Sequence, residues 1–463
     1  MTFRQLLNRP PFRSLLLAAL LLVAPGMAAD ADPRVEALEN EIVELRALIA
    51  GSSHDRLEEL ERRLMQLAEQ VSDLQAGDTA PTAIAPVHSG GLGPAASKVY
   101  GVGHGVSLGG YGEMLYENFN STAEDGSPVS TRDQLDFLRA IVYIGYKFND
   151  RILFNSEIEF EHATTGGSGE VSVEFAYLDF LVRESFNVRA GMVLIPVGFV
   201  NELHEPPVFL GARRPYVEQR LLPSTWRENG AGIYGRHGPL SYRAYLTTNL
   251  AAVDGVSGGA SGFSSSGVRG GRSKGSKSSA EDLAFSGRLD WEPDHGILLG
   301  ASFVSGNTGQ SAVSSGGETI DGRTTMFDIH AQYQRNGVQA RVLFVDTEIE
   351  DVVLINEFQG FTGSDSVGES QSGWYGEVGY DVLAPRTGSR RSLIPYLRYE
   401  SYDTQEAVPD GFSRDPAREV TVTTIGVAWK PIPQVVLKAD WNDISNEGGS
   451  GVDQFNVALG FLF

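Results

Sequence analysis

Residues 138–161 read LRAIVYIGYKFNDRILFNSEIEFE. Leu138, Ala140, Val142, Ile144, Tyr146 and Phe148 alternate with Arg139, Tyr143 and Lys147. Asn149-Asp150 forms a tight turn. Beyond it Ile152, Phe154, Ile158 and Phe160 alternate with Asn155, Glu157, Glu159 and Glu161. Period two across a two-residue turn is a β-hairpin. One face is apolar and the other carries Arg, Lys and Glu, as expected for a strand with lipid on one side and water on the other.

Working outward, the same period runs from about residue 105 to the end. Sixteen strands are expected, near 105–118, 131–148, 151–162, 170–182, 185–195, 229–236, 239–250, 282–292, 297–305, 323–335, 338–349, 373–383, 392–401, 418–429, 434–443 and 453–463. Their connections alternate in length. The short ones include 149–150, 183–184, 237–238, 293–296, 336–337, 384–391 and 430–433. The long ones include 119–130, 163–169, 196–228, 251–281, 306–322, 350–372, 402–417 and 444–452. Short turns on one side and long loops on the other, with an even strand count, describe an all-β transmembrane barrel of 16 antiparallel strands. At the C-terminus Phe455, Val457, Leu459, Phe461 and Phe463 share one face, and Gln454, Asn456, Ala458 and Gly460 share the other.

The segments before the barrel differ in kind. Residues 1–29 fit a secretory signal peptide, with Arg4, Arg9 and Arg13 ahead of the apolar run Leu15–Val23 and small residues at the cleavage point. Residues 33–76 fit an α-helical coiled coil, with Val35, Leu38, Ile42, Leu45 and Ile49 at 3-4 spacing. Leu57, Leu60, Leu64, Leu67, Val71 and Leu74 resume it after Gly51-Ser52-Ser53, with the register slipped by one. A helical hairpin folding back at Gly51 is the alternative. Residues 77–104, rich in Ala, Gly, Pro and Ser, are expected to be a flexible linker. The barrel then occupies 105–463, in an outer membrane, with the coiled coil in the periplasm.

Composition agrees. Mean hydropathy is −0.15, because alternation hides a barrel's apolar surface. The net charge of −22 argues against a nucleic-acid partner. Cysteine is absent from the 463 residues, which excludes disulfides, thiolate metal sites and a Cys nucleophile.

The stretch Val188-Arg189-Ala190-Gly191 through Ile195-Pro196-Val197-Gly198-Phe199 resembles the segment entering the third loop of the phosphate-selective porin O and P family. Arg213-Arg214-Pro215 and Arg227-Glu228-Asn229-Gly230 fit the same arrangement. The resemblance implies a trimeric porin whose third loop folds inward. No evenly spaced arginine ladder with a lysine cluster is found, so phosphate selectivity is not part of the expectation.

The loop 196–228 carries the expected pore constriction: Glu202, His204, Glu205, Arg213, Arg214, Glu218, Arg220, Arg227 and Glu228. Opposed charges across a constriction create a transverse field that sorts solutes. The prolines at 196, 206, 207, 215 and 223 stiffen it. The alternative is an extracellular loop held by surface salt bridges. Inward strand positions are expected to line the lumen with Arg139, Lys147, Glu157, Glu159, Arg189, Arg243, Arg288, Arg341, Glu377, Arg398 and Lys438. Facing lipid near the midplane, each charge would cost roughly 2–4 kcal/mol. The loop 251–281, almost entirely Gly and Ser with scattered Arg and Lys, reads as solvated and mobile.

Enzyme motifs, cofactor fingerprints and zinc-type histidine spacing are not found. His204-Glu205 is a metal or acid–base candidate for which a constriction role is preferred. The expected function is passive diffusion of small hydrophilic solutes or ions, anions among them, without a cofactor. The expected partners are outer-membrane lipid, two further copies of the chain and, through the coiled coil, the cell wall. The alternative is an outer-membrane anchor whose coiled coil tethers the membrane to the cell wall.

Overall fold

The computed structural model describes residues 91–463 except 165, 167–168, 294–295 and 385–390. The expected signal peptide, the coiled coil and the linker as far as residue 90 lie outside the described residues. The rest is one closed antiparallel barrel in which each strand pairs with its neighbours in sequence and β1 closes on β16. The strands are β1 Gly105–Phe119, β2 Gln134–Asn149, β3 Ile152–Glu161, β4 Val171–Arg183, β5 Phe186–Leu194, β6 Arg227–His237, β7 Leu240–Thr248 and β8 Leu283–Trp291. They continue as β9 Ile297–Gly306, β10 Thr324–Arg335, β11 Val338–Ile349, β12 Ser370–Tyr380, β13 Ser392–Ala407, β14 Glu419–Ile432, β15 Val435–Asn446 and β16 Gln454–Leu462. Closure leaves no strand edge unpaired, which a hydrocarbon surrounding demands.

Alternation sorts the side chains as the sequence predicts. On β16 Phe455 and Val457 point out and are exposed, while Asn456 and Ala458 point in and are buried. Phe148, Trp291, Tyr380, Trp429 and Phe463 lie exposed at the short-turn end, forming one aromatic girdle. Among the described residues no helix is long and apolar enough to cross a membrane. The crossing is made by strands.

Three segments differ from expectation. First, β6 begins at Arg227 rather than 229, because Arg227 and Glu228 continue the ladder opposite Leu194 and Val193. Both are therefore wall residues, and the third loop (hereafter L3) spans 195–226. Second, β12 sits three residues earlier than expected and β13 runs on to Ala407. Tyr402, Asp403, Thr404 and Gln405 are buried, and the Thr404 hydroxyl donates to the Ser265 carbonyl at 2.6 Å. This end of β13 is thus covered by the 251–281 loop instead of being released as a loop of its own.

Third, the end of the expected flexible linker is packed. Leu92, Ala95, Ala96 and Val99 are buried, and Lys98–Gly101 forms a short helix α1. Gly145 on the inner face of β2 leaves room for Val99: a Cβ there would fall 2.6 Å from it. Asn155 on β3 donates to the Ala96 carbonyl at 2.9 Å, and the Tyr100 hydroxyl donates to Asp179 of β4 at 2.5 Å. Ala and Gly, read as linker composition, here allow close approach to the wall.

The turn Asn336-Gly337 between β10 and β11 has positive φ at both residues, 52° and 81°, as a type I′ hairpin requires. A Cβ on Gly337 would also meet the Ala384 side chain at 2.7 Å. Gly337→Val is expected to destabilise the barrel by about 1–2 kcal/mol, read as a lower urea midpoint for unfolding in detergent micelles.

Candidate functional site

L3 leaves β5 at Ile195 and returns to β6 at Trp226, whose backbone pairs with Ile195 N at 3.0 Å. Asn201 joins the two ends. Its amide donates to the Ile195 and Trp226 carbonyls at 2.6 and 2.9 Å, and its oxygen accepts from Trp226 N at 2.7 Å. Between these ends the loop crosses the barrel interior and carries one short helix, α2 Tyr216–Arg220.

The wall supplies the charged groups that hold it. Asp328 of β10 accepts from Gly198 N at 3.0 Å, Glu400 of β13 from Val217 N at 3.0 Å, and Asp440 of β15 from Ala212 N at 2.6 Å. Lys438 of β15 donates to the Gly211 carbonyl at 2.8 Å, and Arg341 of β11 to the Val208 carbonyl at 2.7 Å. Arg288 of β8 donates to the Gly198 carbonyl. Gly198 has φ of +58°, and a Cβ on it would collide with the Glu218 carboxylate at 2.6 Å. Backbone groups of L3 that would otherwise be buried without partners are thereby satisfied from opposite sides of the barrel.

L3 also returns charges to the wall. Glu202 pairs with Arg243 of β7 at 3.2 Å and lies 3.9 Å from Arg288. His204 Nε2 lies 3.0 Å from Glu157 of β3. Arg213 donates to Glu117 of β1 at 2.6 Å. Glu205 accepts from Ala95 N and Ala96 N at 2.9 and 3.0 Å, fastening the N-terminal arm. Glu218 accepts from Phe199 N at 2.9 Å, Val200 N at 2.6 Å and the Tyr375 hydroxyl of β12 at 2.7 Å. Burial raises the Glu205 carboxyl to about 7, although the two arm amides oppose the shift.

The expected lumen residues lie on the inner face, most of them beside an opposite charge. Arg139 sits between Glu113 and Glu159, at 3.3 and 3.7 Å. Arg189 bonds Asp179 at 2.8 Å and lies over the Tyr177 ring, 4.1 Å from its centre. Arg288 and Arg243 share Asp290, at 2.8 and 2.9 Å. Arg398 lies between Glu377 and Glu400, at 3.3 and 2.8 Å. Lys147 lies half-buried near the short-turn end, in phase with Tyr143 and Gly145. Of the expected constriction set, Glu202, His204, Glu205, Arg214 and Glu218 are buried in L3, and Arg227 and Glu228 are buried in the wall. Arg213 keeps 31% of its side chain exposed, and Arg220 is exposed.

The 251–281 loop is folded, contrary to its composition. Phe263 and Val268 are fully buried, in one cluster with Val217, Leu221, Leu222 and Trp226 of L3. Arg272 donates to the Pro223 and Ser224 carbonyls at 3.3 and 2.9 Å, and Arg269 to those of Gln219 and Ser224 at 3.3 and 3.2 Å. Arg418 of the loop before β14 reaches Ser266 at 2.8 Å. The segment forms a lid over L3 at the long-loop end. Helix α3 Val352–Gln359 joins the same cluster through Val352 and Ile355.

A protein of Aquifex aeolicus (strain VF5), described as "Uncharacterized protein", is 38% identical over 383 residues, spanning 81% of this chain and 83% of its own length. The chain belongs to the family of that protein. No protein-family model matches it. Among solved structures, Salmonella typhi OmpF in complex with daunomycin superposes with a TM-score of 0.50 at 13% identity, covering 78% of this chain and 98% of that one. The anion-selective porin of Comamonas acidovorans gives 0.49 at 12% identity, over 77% and 99%. The fold is that of the sixteen-stranded outer-membrane porins, and a closed barrel with this apolar exterior resides in the outer membrane.

Asn201, Asp328, Asp440 and Tyr375 were not among the expected site residues. Their signal was present for three of them, as polar residues in the inward phase of their strands, but nothing local says which loop atom each will meet. Glu218→Ala would leave two buried amides and the Tyr375 hydroxyl without their acceptor. It is expected to destabilise the folded barrel by about 3 kcal/mol or more. Tyr375→Phe, which removes one donor, should cost about 1 kcal/mol. Urea titrations of the two variants test the ratio.

Proposed function

We propose that the protein is a passive outer-membrane channel for small hydrophilic solutes with a preference for anions, in which L3 sets the aperture. The observation that carries this reading is the unequal fate of the charges of L3. Its carboxylates Glu202, Glu205 and Glu218 are consumed in buried bonds to arm, wall and loop backbone. Of its Arg, Glu and His side chains only Arg213, which also bonds Glu117, and Arg220 are not buried. Cationic groups at a narrow, low-dielectric passage raise the local anion concentration. A homotrimer, a channel rather than an enzyme, and a periplasmic coiled coil complete the proposal.

A second reading, an anchor for a coiled-coil tether to the cell wall, draws on the arm. Residues 92–101 are bonded into the barrel and would transmit a pull on whatever precedes them. Deleting 33–76 separates the two readings: loss of envelope integrity with unchanged permeability favours the tether.

Planar-bilayer recording tests the channel. Purified protein should give stepwise conductance, and in a KCl gradient the reversal potential should have the sign of anion preference. The double variant Arg213→Glu/Arg220→Glu should move it toward cation preference. Absence of conductance steps would sink the channel, and an unmoved reversal potential would sink the role of these arginines. Removing 257–279 from the lid is expected to raise the single-channel conductance.

A further inference from the structure

A second chemistry lies where L3 meets β3 and β4. The ladder between those strands is irregular: Glu157 faces Phe175 and Ile158 faces Val173, so Glu174 is the extra residue of a β-bulge. Bulges re-aim side chains. Here Glu174 and Phe175, adjacent in sequence, are both buried on the inner side. The bulge brings Glu174 beside Glu157, and L3 lowers His204 onto the pair. His204 Nε2 stands 3.0 Å from Glu157 Oε1 and 3.8 Å from Glu174 Oε2. One ligand atom from each of the three residues lies within 4.8 Å of the others.

The hydrogen bonds around this group are incomplete. His204 Nδ1 lies 3.1 Å from the Asn201 carbonyl, which can only accept, so Nδ1 carries a hydrogen. In the neutral ring the Nε2 lone pair then points at two carboxylates. A proton on Nε2 would satisfy Glu157 Oε1 alone. Glu157 Oε2 and Glu174 Oε2 would still have no donor, although their residues are 0% and 1% exposed. The other Glu174 oxygen is held by Arg227 at 2.9 Å, which fixes the carboxylate's orientation. The contrast is His330, also set between two carboxylates, Asp328 at 2.6 Å and Asp290 at 3.0 Å. There Arg288, Arg243, Gly198 N and Ser302 supply donors to the remaining oxygens.

We infer that Glu157, Glu174 and His204 form a binding site for a divalent transition-metal ion of the zinc class. An imidazole nitrogen with its other nitrogen tied to a backbone carbonyl, plus two carboxylates, is a donor set that suits such an ion. Ligand distances of about 2.0–2.2 Å place tetrahedral ligand atoms about 3.3–3.6 Å apart, between the 3.0 and 3.8 Å that separate His204 Nε2 from the two carboxylates. The ion would pin L3 to the wall at the bulge. No spacing along the chain announces the site, because its members come from β3, β4 and L3. Its burial means that the ion enters as the barrel folds.

The test uses the full-length chain, unfolded in urea with a chelator and refolded into detergent with Zn²⁺ as the sole added metal. After gel filtration the folded protein should retain about one zinc per chain by elemental analysis. Glu174→Gln and His204→Gln should each lower retention at least tenfold. His162→Gln, which removes an exposed histidine paired with Asp136, should leave it unchanged. Folding of each variant is checked by heat-modifiable gel mobility. If either site variant fails to fold, Glu174→Asp, which keeps a carboxylate but shortens its reach, should fold and bind more weakly. Folded wild-type protein without retained zinc overturns the proposal and leaves a His204 imidazolium ion pair. Retention that survives in folded Glu174→Gln and His204→Gln also overturns it.

Discussion

A charge on a barrel strand has two places to go, and one of them is hydrocarbon. Lipid exposure near the midplane costs roughly 2–4 kcal/mol per charge, so Arg, Lys, Glu and Asp of the strands collect on the inside. There they meet a second constraint. An inner wall dense in charge must be solvated or paired, and this one is paired. L3 is the main instrument. Its backbone amides satisfy Asp328, Glu400 and Asp440, and its carbonyls accept from Arg288, Arg341 and Lys438. The loop is thus held by single bonds distributed around the circumference, and each depends on barrel closure for its position.

This arrangement builds the interior in layers. The N-terminal arm lies toward the short-turn end, against β2, β3 and β4. L3 occupies the middle, and the 251–281 lid packs on it from the long-loop end. Between lid and loop an apolar cluster includes Phe263, Val268, Leu221 and Trp226, with Met326 and Leu343 from the wall. Apolar contact and buried carboxylate anchors together explain why most of L3's charges are structural. Arg213 and Arg220 are not buried.

Much of this was legible in the sequence. The sixteen strands, the alternation of short and long connections and the inward phase of Arg139, Glu157, Arg189, Arg288, Arg398 and Lys438 follow from period two alone. What was not legible came from packing. Gly and Ser are as common in a folded lid as in a solvated loop, since small side chains permit close backbone approach and impose no period. The same ambiguity hid the arm at 91–101. Within L3, the list of charged residues was readable, but whether each faces water or an amide was not. Glu218 and Arg220 are two residues apart with opposite fates, one buried under three donors and one exposed.

By itself the sequence determined the barrel, because side-chain alternation and turn chemistry are local and need no partner to be recognised. It also determined which residues could not face lipid, since the cost of charge in hydrocarbon does not depend on neighbours. Tertiary structure alone decided what those residues do once inside. Glu174 was brought beside Glu157 and His204 by one extra residue in the β4 ladder. Asp440 received Ala212 N, 228 residues away in the chain. Such pairings depend on closure of the whole ring, and closure is a property of all sixteen strands together.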